Sequence, residues 1–576
     1  MTTRQYIGAR YVMKIYENSQ TAGSAEWEAD TSYEPLTIVT YQNSSYLSKK
    51  AVPATVGNPA SNGDYWIVTG AYNGQIASLQ SQIDDTNSLI TALTNTRVVI
   101  KPEQFGAIGD GAIDDTQAIK DCVLYATTHY CIIALTASYR VTDQIDLFTG
   151  CRIIGGGAVK CEYNPGSIPN EDLRHAATFN CTNCHNIVID GVTFIGTGAS
   201  TTSYTKTQCV GGESCYDITV SNCIFNNIQC EGAVIFFNSH DIIVSHCSVN
   251  TYTYTGIAFW NDSYNCEVTH CKIYNGTLTG SSHVDRYPIS LCGWDDVIAL
   301  GHSMPTNLKA NYNYIEDLTP EWEGIDAHGG KNIEVIGNII INVAVPVAVF
   351  TDDSRHFHAY NVIIDNNICY QRDDVMDHSK LWHSASLSGD EFIVSNNQFI
   401  QDWYGNPYST SLSDYFGISV GFKRGVIKNN LFKNIQNGCL VFTTYGGTSE
   451  VSDNYFTETT SGLATNGYAI VAGGSGAHNV RIHNNELDYI HPYNYVQSGS
   501  SLFVFIDNVY PNTFSQVTWT DLTYCIPDYC NSTELASVTA NEIGHIIKNK
   551  APSAGGILGW INTAIGVWKS IGTIEA

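Results

Sequence analysis

Val362-Ile-Ile-Asp-Asn-Asn-Ile-Cys369 contains the pattern that decides the fold. Two β-branched residues alternate with other residues, a pair of small polar residues follows, and an apolar residue comes after one intervening position. Close copies are Phe392-Ile-Val-Ser-Asn-Asn-Gln-Phe399 and Val480-Arg-Ile-His-Asn-Asn-Glu-Leu487. Apolar residues at every second position indicate a β-strand, and the polar pair indicates the turn that ends it.

Eight weaker copies of the pattern bring the total to eleven, at spacings of 24 to 42 residues. Their polar pairs begin at Gly191, Asn222, His246, His270, Tyr312, Gly337, Asn429 and Asp453. A second series of short strands runs in phase with the first, and its members begin at Gly232, Gly256, Gly324, Gly417 and Gly438. Two strand series in phase predict a parallel β-solenoid of about eleven turns, called rungs below. A β-propeller would need blades of about 40–45 residues, which most of these spacings do not reach.

Composition and charge limit the function. The 576 residues carry a net charge of −27, which disfavours binding to nucleic acids and to anionic membranes. The longest apolar stretch, Ile339–Phe350, holds 12 residues and is too short to insert into a membrane. No signal-peptide pattern opens the chain, so we expect synthesis in a cytoplasm and predict thiols for the 18 cysteines. Pairing of Cys525 with Cys530 stays open.

The segment before the repeats carries the most specific motif, Phe105-Gly-Ala-Ile-Gly-Asp-Gly-Ala-Ile-Asp-Asp-Thr-Gln-Ala-Ile119. Asp114 or Asp115 begins a predicted helix that runs to about Thr127 and covers the open end of the solenoid. The predicted apolar face of that helix holds Ala118, Ile119, Cys122, Val123 and Ala126. The motif resembles the opening segment of the pectate-lyase-like right-handed β-helix superfamily, in the version found in bacteriophage tailspikes. The resemblance implies an all-β, right-handed parallel β-helix.

We predict four domains, with boundaries at residues 1–72, 73–99, 100–500 and 501–576. The first is a small β-module with two strands within Tyr33–Lys50. It is similar to modules of tail proteins from phages of Gram-positive bacteria and to chitin-binding modules, so it attaches to the virion or binds glycan. The β-helix fills residues 100–500. The last domain is a small β-module whose Trp560 and Trp568 cap the solenoid or bind sugar.

Residues 73–99 form a predicted coiled-coil linker. Apolar residues and one threonine occupy heptad positions a and d, at Ile76, Leu79, Ile83, Thr86, Ile90 and Leu93. Isoleucine at a with leucine at d favours two strands, whereas the tailspike resemblance implies a homotrimer, which we adopt. The alternative is a single amphipathic linker helix.

In a parallel solenoid, outward side chains of successive rungs stack, so remote residues meet. Aligning the glycine-led strands places Trp260 above His328 and Phe350, Ala258 above Asp326 and Ala348, and Asp262 above Asp352. Ile325 and Ala327 then face inward. The predicted catalytic residues are Glu321, Glu323, Asp326, His328 and Asp352, because glycoside hydrolysis requires a protonated carboxyl beside a second carboxylate.

The 42-residue rung carries an insertion that we expect to form a groove wall. The predicted substrate-binding residues are Trp260, Asp285, Arg286, Trp294, Asp295, Asp296, Asp353, Arg355 and His356. A polysaccharide lyase would use a base and a cation, for which Arg286 or Arg355 is suitable. Hydrolase and lyase both stay open, as does a solvated acidic patch without catalysis.

His246-Cys247 and His270-Cys271 lie 24 residues apart, so stacked rungs would bring the two pairs together. Two imidazoles and two thiolates form a ligand set that zinc accepts. The preferred interpretation is that these pairs occupy the same turn as the asparagine pairs, with thiols stacking as small apolar groups. We therefore predict no metal site and no cofactor, although a structural or catalytic calcium is compatible with the sequence.

The resulting hypothesis is a phage tailspike, located in the virion tail, that binds and depolymerises a host cell-surface polysaccharide or teichoic acid. Its N-terminal module would contact other tail proteins. The main alternative is a non-enzymatic receptor-binding tail protein with the same fold. A bacterial surface adhesin is disfavoured because the sequence does not open on a signal peptide.

Overall fold

The structure is a computed structural model with two compact units, residues 1–97 and 98–576. It describes residues 4–8, 11–20, 24–42, 44–70, 98–165, 176–196, 205–228, 230–276, 286–291, 303–316, 323–351, 358–372, 382–402, 415–435, 438–443, 446–457, 468–472, 476–488, 491–495, 501–510, 525–538 and 543–575. The predicted heptads of the linker lie outside the described residues.

The N-terminal unit contains one five-stranded sheet formed by Arg4–Gly8, Tyr11–Ile15, Thr37–Tyr41, Ser44–Ser48 and Trp66–Gly70. The predicted hairpin within Tyr33–Lys50 is confirmed as the antiparallel pair Thr37–Tyr41 and Ser44–Ser48. Tyr33 packs edge-on against Trp66 in a small core, with ring centroids 5.3 Å apart. A 3₁₀ helix, Pro59–Ser61, precedes the last strand.

The second unit is a right-handed parallel β-helix with three faces. The first face contains Ile145–Asp146, Ala177–Asn180, Thr205–Glu213, Cys230–Phe237, Thr255–Trp260, Tyr287–Ser290, Glu323–His328, Val345–Phe350, Gly438–Phe442, Tyr468–Ala472 and His491–Tyr495. The second face contains Val99–Ile100, Ile132–Ala134, Arg152–Ile154, His185–Asp190, Tyr216–Ser221, His240–Ser245, Tyr264–Thr269, Thr306–Asn311, Gly330–Ile336, Ala359–Asp365, Thr448–Ser452, Asn479–His483, Leu502–Ile506 and Cys525–Ile526. Trp382–Ser395 and Tyr415–Lys428 run through both faces.

The third face follows the polar pairs. It contains Asp110–Asp114, Ser138–Val141, Ala158–Cys161, Thr193–Gly196, Ile224–Ile228, Ser248–Tyr252, Lys272–Tyr274, Tyr314–Glu316, Ile339–Ile341, Ile368–Arg372, Gln398–Asp402, Leu431–Lys433, Tyr455–Thr457 and Glu486–Leu487. Each strand pairs in parallel with its equivalent in the neighbouring rungs, and one hydrophobic core extends from Ile100 to Trp560.

The eleven predicted turns are confirmed, and each residue of the polar pair has its own task. The first residue has a left-handed backbone in all eleven copies, with φ between 52° and 72°. Glycine, asparagine and aspartate tolerate this conformation best, which explains their frequency there. The second residue points inward and forms a ladder of buried side chains.

The ladder contains Asn313, Asn338, Asn367, Asn397, Asn430, Asn454, Asn485 and Asn508. Each side-chain nitrogen donates to a backbone carbonyl and, up to Asn485, to Oδ1 of the next asparagine, at 2.8–3.0 Å. The ladder ends at Asp528, whose Oδ2 accepts from Asn508. Nearly all buried polar groups in proteins need such partners, and this arrangement supplies them.

Cysteines occupy the inward position in three earlier rungs. The thiols of Cys223, Cys247 and Cys271 lie in the core and donate to backbone carbonyls at 3.6 Å. The rings of His246 and His270 stack on the exposed side, 5.0 Å apart. The His-Cys pairs therefore occupy the same turn as the asparagine pairs of later rungs. Their thiols lie in the core and their imidazoles lie on the exposed side.

The predicted capping helix is Thr116–His129, preceded by the 3₁₀ helix Pro102–Phe105. Asp114 Oδ1 accepts a hydrogen bond from the backbone N–H of Thr116, whereas Asp115 accepts one from Ile108. The buried face holds Ile119, Cys122, Val123 and Ala126, with Ala118 partly buried.

At the other end, the β-helix continues beyond residue 500 through Leu502–Ile506 to Cys525–Ile526. A short helix, Ser532–Leu535, and a four-stranded sheet follow, made of Tyr529–Cys530, Ile546–Asn549, Ile557–Ala564 and Val567–Thr573. Trp560 is buried in the β-helix core and Trp568 packs against it, which favours capping over sugar binding. The 16 cysteines with described side chains are free thiols. None of the described helices is long and apolar enough to cross a membrane.

Candidate functional site

The candidate site lies on strand Glu323–His328 of the first face. Its register confirms the predicted columns: Asp326 pairs with Ala348, and His328 pairs with Phe350. The column of Asp326 also contains Ser290, which lies beside Asp326 and beside Ala258 on the preceding rung.

Gly324 explains why three polar side chains gather on the outer side of this strand. A Cβ atom at Gly324 would point inward, 3.3 Å from the core side chains of Ile340 and Val343 and 2.7 Å from the carbonyl oxygen of Pro346. Ile325 and Ala327 also lie in the core, as predicted. The inward positions are thus taken by apolar residues and a glycine, and the polar side chains meet outside the core.

Glu323, Asp326 and His328 form a compact cluster. His328 Nε2 lies 3.1 Å from Asp326 Oδ1 and 3.9 Å from Glu323 Oε2, and one donor atom from each residue lies within 4.8 Å of the others. The side chains of Asp326 and Glu323 are 1% and 7% exposed, and that of His328 is 19% exposed. Among the described residues, Glu323 Oε2, Asp326 Oδ1 and both ring nitrogens of His328 have no partner in hydrogen-bond geometry, so the contacts of His328 with the two carboxyls are ion pairs.

The environment assigns the protons within the cluster. Burial raises the pKa of the Glu323 carboxyl to about 8, and the charge of Asp326 adds to the increase. Burial opposes protonation of His328, but the adjacent Asp326 carboxylate outweighs it and raises the pKa of the imidazole to about 10. At pH 7 the site therefore holds a neutral Glu323 beside a positive His328.

Two predicted substrate-binding residues are buried, Trp260 at 2% exposure and Arg286 also at 2%. Trp260 packs with Ile235, Phe237 and Ala258, and its indole nitrogen donates to Ser290 Oγ at 2.8 Å. Its side chain therefore lies below the surface, where it supports Ser290. The remaining predicted residues lie outside the described part of the chain: Glu321, Asp352, Asp285, Trp294, Asp295, Asp296, Asp353, Arg355 and His356.

Ser290 is the site residue that the sequence interpretation missed. Its hydroxyl donates to Asp326 Oδ2 at 3.3 Å. Pro-Ile-Ser-Leu291 aligns with Gly-Ile-Asp-Ala327, and this similarity could have revealed Ser290 from the sequence. The strand was overlooked because it does not begin with the glycine that identifies the other strands of the first face. Within the 42-residue rung, Tyr287–Ser290 forms a strand of the first face.

A cation in this cluster would contact all three residues, because one donor atom from each lies within 4.8 Å of the others. Metal ligands must be deprotonated, however, and Glu323 and His328 hold protons at pH 7. The cluster is therefore better suited to proton transfer than to metal binding.

No protein-family model matches the chain, and no curated protein matches it. Among solved structures, the N-terminal fragment of gene product 12 from bacteriophage phi29 aligns with a TM-score of 0.51 at 13% identity, covering 75% of this chain and 74% of the fragment. The catalytic unit of a GH87 α-1,3-glucanase from Streptomyces thermodiastaticus aligns with a TM-score of 0.42 at 12% identity, covering 70% of this chain and 68% of the glucanase. Tailspike protein 3 of bacteriophage CBA120 aligns with a TM-score of 0.36 at 13% identity, covering 95% of this chain and 86% of the tailspike. The phi29 similarity supports the fold alone.

Proposed function

We propose that this protein is a phage tailspike that depolymerises a host cell-surface polysaccharide at Glu323, Asp326 and His328. The observation that carries the proposal is the neutral carboxyl of Glu323 gathered with a second carboxylate within 4.8 Å on the outer side of a β-helix. Glycoside hydrolysis needs one carboxyl that donates a proton and another that acts as base or nucleophile. Glu323 supplies the first role and Asp326 the second.

The geometry favours hydrolysis over elimination. One oxygen of Glu323 and one of Asp326 lie within 4.8 Å of each other, whereas the carboxyl groups of inverting glycosidases stand roughly 6.5–9.5 Å apart, so the proposal gives Asp326 the role of nucleophile. A lyase would need a base to remove a proton from a uronate. His328 is protonated at neutral pH and cannot fill that role, but its charge faces the Asp326 carboxyl at 3.1 Å.

The proposal places the protein in the virion tail as a homotrimer, with its N-terminal module against other tail proteins. The substrate is a host-surface polysaccharide or a teichoic acid, and no cofactor is needed. Support comes from the resemblance of Phe105–Ile119 to the opening motif of tailspikes and from the fold similarity to a bacteriophage protein fragment.

A second candidate function is glycan binding without cleavage by a tail protein of the same fold. The observation that favours it is burial, because Asp326 and Glu323 are almost covered and only His328 presents part of its ring. In that case the charged cluster would hold the face together beneath a receptor-binding surface.

Product release from purified cell-wall glycans of a host panel separates the two functions. We expect new reducing ends with the wild-type protein and at least 100-fold less with a Glu323→Gln/Asp326→Asn double variant. The matched control is Asp217→Asn/Glu267→Gln, which alters two carboxyls on the second face and should cleave normally. Binding without product across the panel, equal in all three proteins, would favour receptor binding alone.

A further inference from the structure

A chain of buried hydrogen bonds lies beneath the acidic cluster. Trp260 Nε1 donates to Ser290 Oγ at 2.8 Å, and Ser290 Oγ donates to Asp326 Oδ2 at 3.3 Å. Trp260, Ser290 and Asp326 are each at most 2% exposed. The three residues come from three successive rungs, so the stacking of the β-helix creates this chain.

The direction of these hydrogen bonds follows from the donor chemistry. An indole nitrogen can only donate, so Ser290 Oγ must accept the hydrogen bond from Trp260. The hydroxyl of Ser290 in turn donates to Asp326 Oδ2. A carboxyl oxygen that accepts a hydrogen bond is favoured in its ionised form.

We propose that Ser290, oriented by Trp260, is a positioning residue that fixes the direction of the Asp326 carboxyl and leaves the proton of the carboxyl pair to Glu323. Ser290 Oγ donates to Oδ2 at 3.3 Å, while His328 Nε2 lies 3.1 Å from Oδ1. This inference rests on the proposed function and deepens it, because it explains how two neighbouring carboxyls acquire different roles.

A purely structural role for the chain makes different predictions. Trp260 packs with Ile235, Phe237 and Ala258, and loss of that packing would lower stability without moving any titration. The test therefore needs variants that keep the shape of the site. Ser290→Cys retains a similar side chain with a weaker donor, Ser290→Ala removes the donor, and Trp260→Phe removes the indole N–H but keeps a ring.

The first measurement is the pH–rate profile on a glycan that the wild-type protein cleaves. In Ser290→Ala we expect kcat about 10-fold lower, KM within 2-fold, and the acidic limb of the profile moved up by about half to one pH unit. Ser290→Cys should fall between wild type and Ser290→Ala, and Trp260→Phe should lose about 3-fold. The matched control is Ser384→Ala, which removes a buried hydroxyl that donates to Gln371 at the same 3.3 Å away from the cluster.

The second measurement needs no activity. In protein labelled with ¹³Cγ-aspartate, the signal that disappears in Asp326→Asn reports this carboxyl directly. Its titration midpoint should rise by half to one pH unit in Ser290→Ala and stay unchanged in Ser384→Ala. If no glycan is cleaved but the midpoint rises, the proposed function fails and the role of Ser290 stands. An unchanged midpoint overturns the role of Ser290, whether or not the protein is active.

Discussion

The asparagine ladder and the acidic cluster are two buried polar regions of the same β-helix with opposite hydrogen-bond arrangements. In the ladder, Asn367 donates to Val335 and Asn397 and accepts from Asn338, so its amide has partners on both sides. In the cluster, Asp326 Oδ1 and Glu323 Oε2 face the charged His328 ring at 3.1 Å and 3.9 Å but form no hydrogen bond of good geometry with any described residue. Buried polar groups that are hydrogen-bonded stabilise a fold, whereas those that are not cost stability and mark candidate functional sites.

The contrast suits the ladder to a role in stability and the cluster to the proposed chemistry. Substitutions in the two regions should therefore change stability in opposite directions. A ladder variant should lose stability and leave activity per folded molecule unchanged. A cluster variant should lose activity and gain stability, as expected where an active site is held in an unfavourable arrangement.

The largest expected effect is that of Glu323→Gln. Removing the general acid should lower kcat about 1000-fold, measured by reducing-end release. Stability should rise by about 2 kcal/mol at pH 7, because the native state must hold a proton that the unfolded chain has released. The carboxyl pKa is about 8 in the native state and about 4 when unfolded, so wild-type stability falls as pH rises between these values.

The advantage of Glu323→Gln in denaturant midpoint should therefore disappear below pH 4. Glu267→Gln, on the second face, is the matched control and should change neither activity nor this pH dependence. A variant that keeps full activity would remove Glu323 from the chemistry. A variant that loses stability at pH 7 would contradict the contrast with the ladder.

The next effect is that of Asn367→Ala in the middle of the ladder. The backbone N–H and the side-chain amide of Asn338 lose their acceptor, and Val335 O loses a donor. We expect the free energy of unfolding to fall by about 3 kcal/mol, because each orphaned buried group costs about 1–3 kcal/mol. Asn366→Gly is the control: it alters the exposed first residue of the same pair, keeps its left-handed backbone, and should shift stability by less than about 1 kcal/mol. Equal losses in both variants would show that the turn, not the ladder, carries the stability.

The sequence predicted the ladder better than the cluster, and the reason is physical. The turn imposes a left-handed backbone on one residue and an inward amide on the next, so a local pattern such as Asp-Asn-Asn367 repeats wherever the geometry repeats. Eleven copies made the register of the β-helix visible without coordinates. The capping helix was equally predictable because its apolar face is local.

The cluster depends on contacts that no local pattern records. Glu323, Asp326 and His328 were recognised because they lie on one strand, and the columns placed Asp326 correctly beside Ala348. Ser290 was missed because its strand has no leading glycine, and the burial of Trp260 does not follow from its place in an outward column. Burial on the outer side of a β-helix is set by the whole surroundings of a residue, and alternation along one strand does not reveal it.

A smaller effect is expected at the end of the ladder, where Asp528 replaces asparagine. Burial raises the pKa of its carboxyl to about 6 in the native state, against about 4 in the unfolded chain. Stability is therefore lost as pH rises from about 4 to about 6, and Asp528→Asn should be about 2 kcal/mol more stable at pH 7.5 and equal to wild type below pH 4. The control is Asp507→Asn, which changes the exposed carboxyl just before the ladder residue Asn508. It should show no such pH-dependent gain in denaturant titrations. A loss of stability in Asp528→Asn would mean that the ladder needs a charge at its end.

The smallest effect should come from extending the ladder into the cysteine rungs with Cys271→Asn. The thiol now donates weakly to Val244 O at 3.6 Å, and the backbone N–H of residue 271 already donates to Asn313 Oδ1. An asparagine there would bind both neighbours as the other rungs do, so we expect a gain of about 1 kcal/mol in denaturant titrations. Cys369→Asn is the matched control, because Cys369 is equally buried but lies on the third face, away from the ladder, where an amide would find no ladder partner. It should lose at least about 2 kcal/mol. Equal losses at both positions would mean that the cysteine rungs are packed as an apolar column that does not accept an amide.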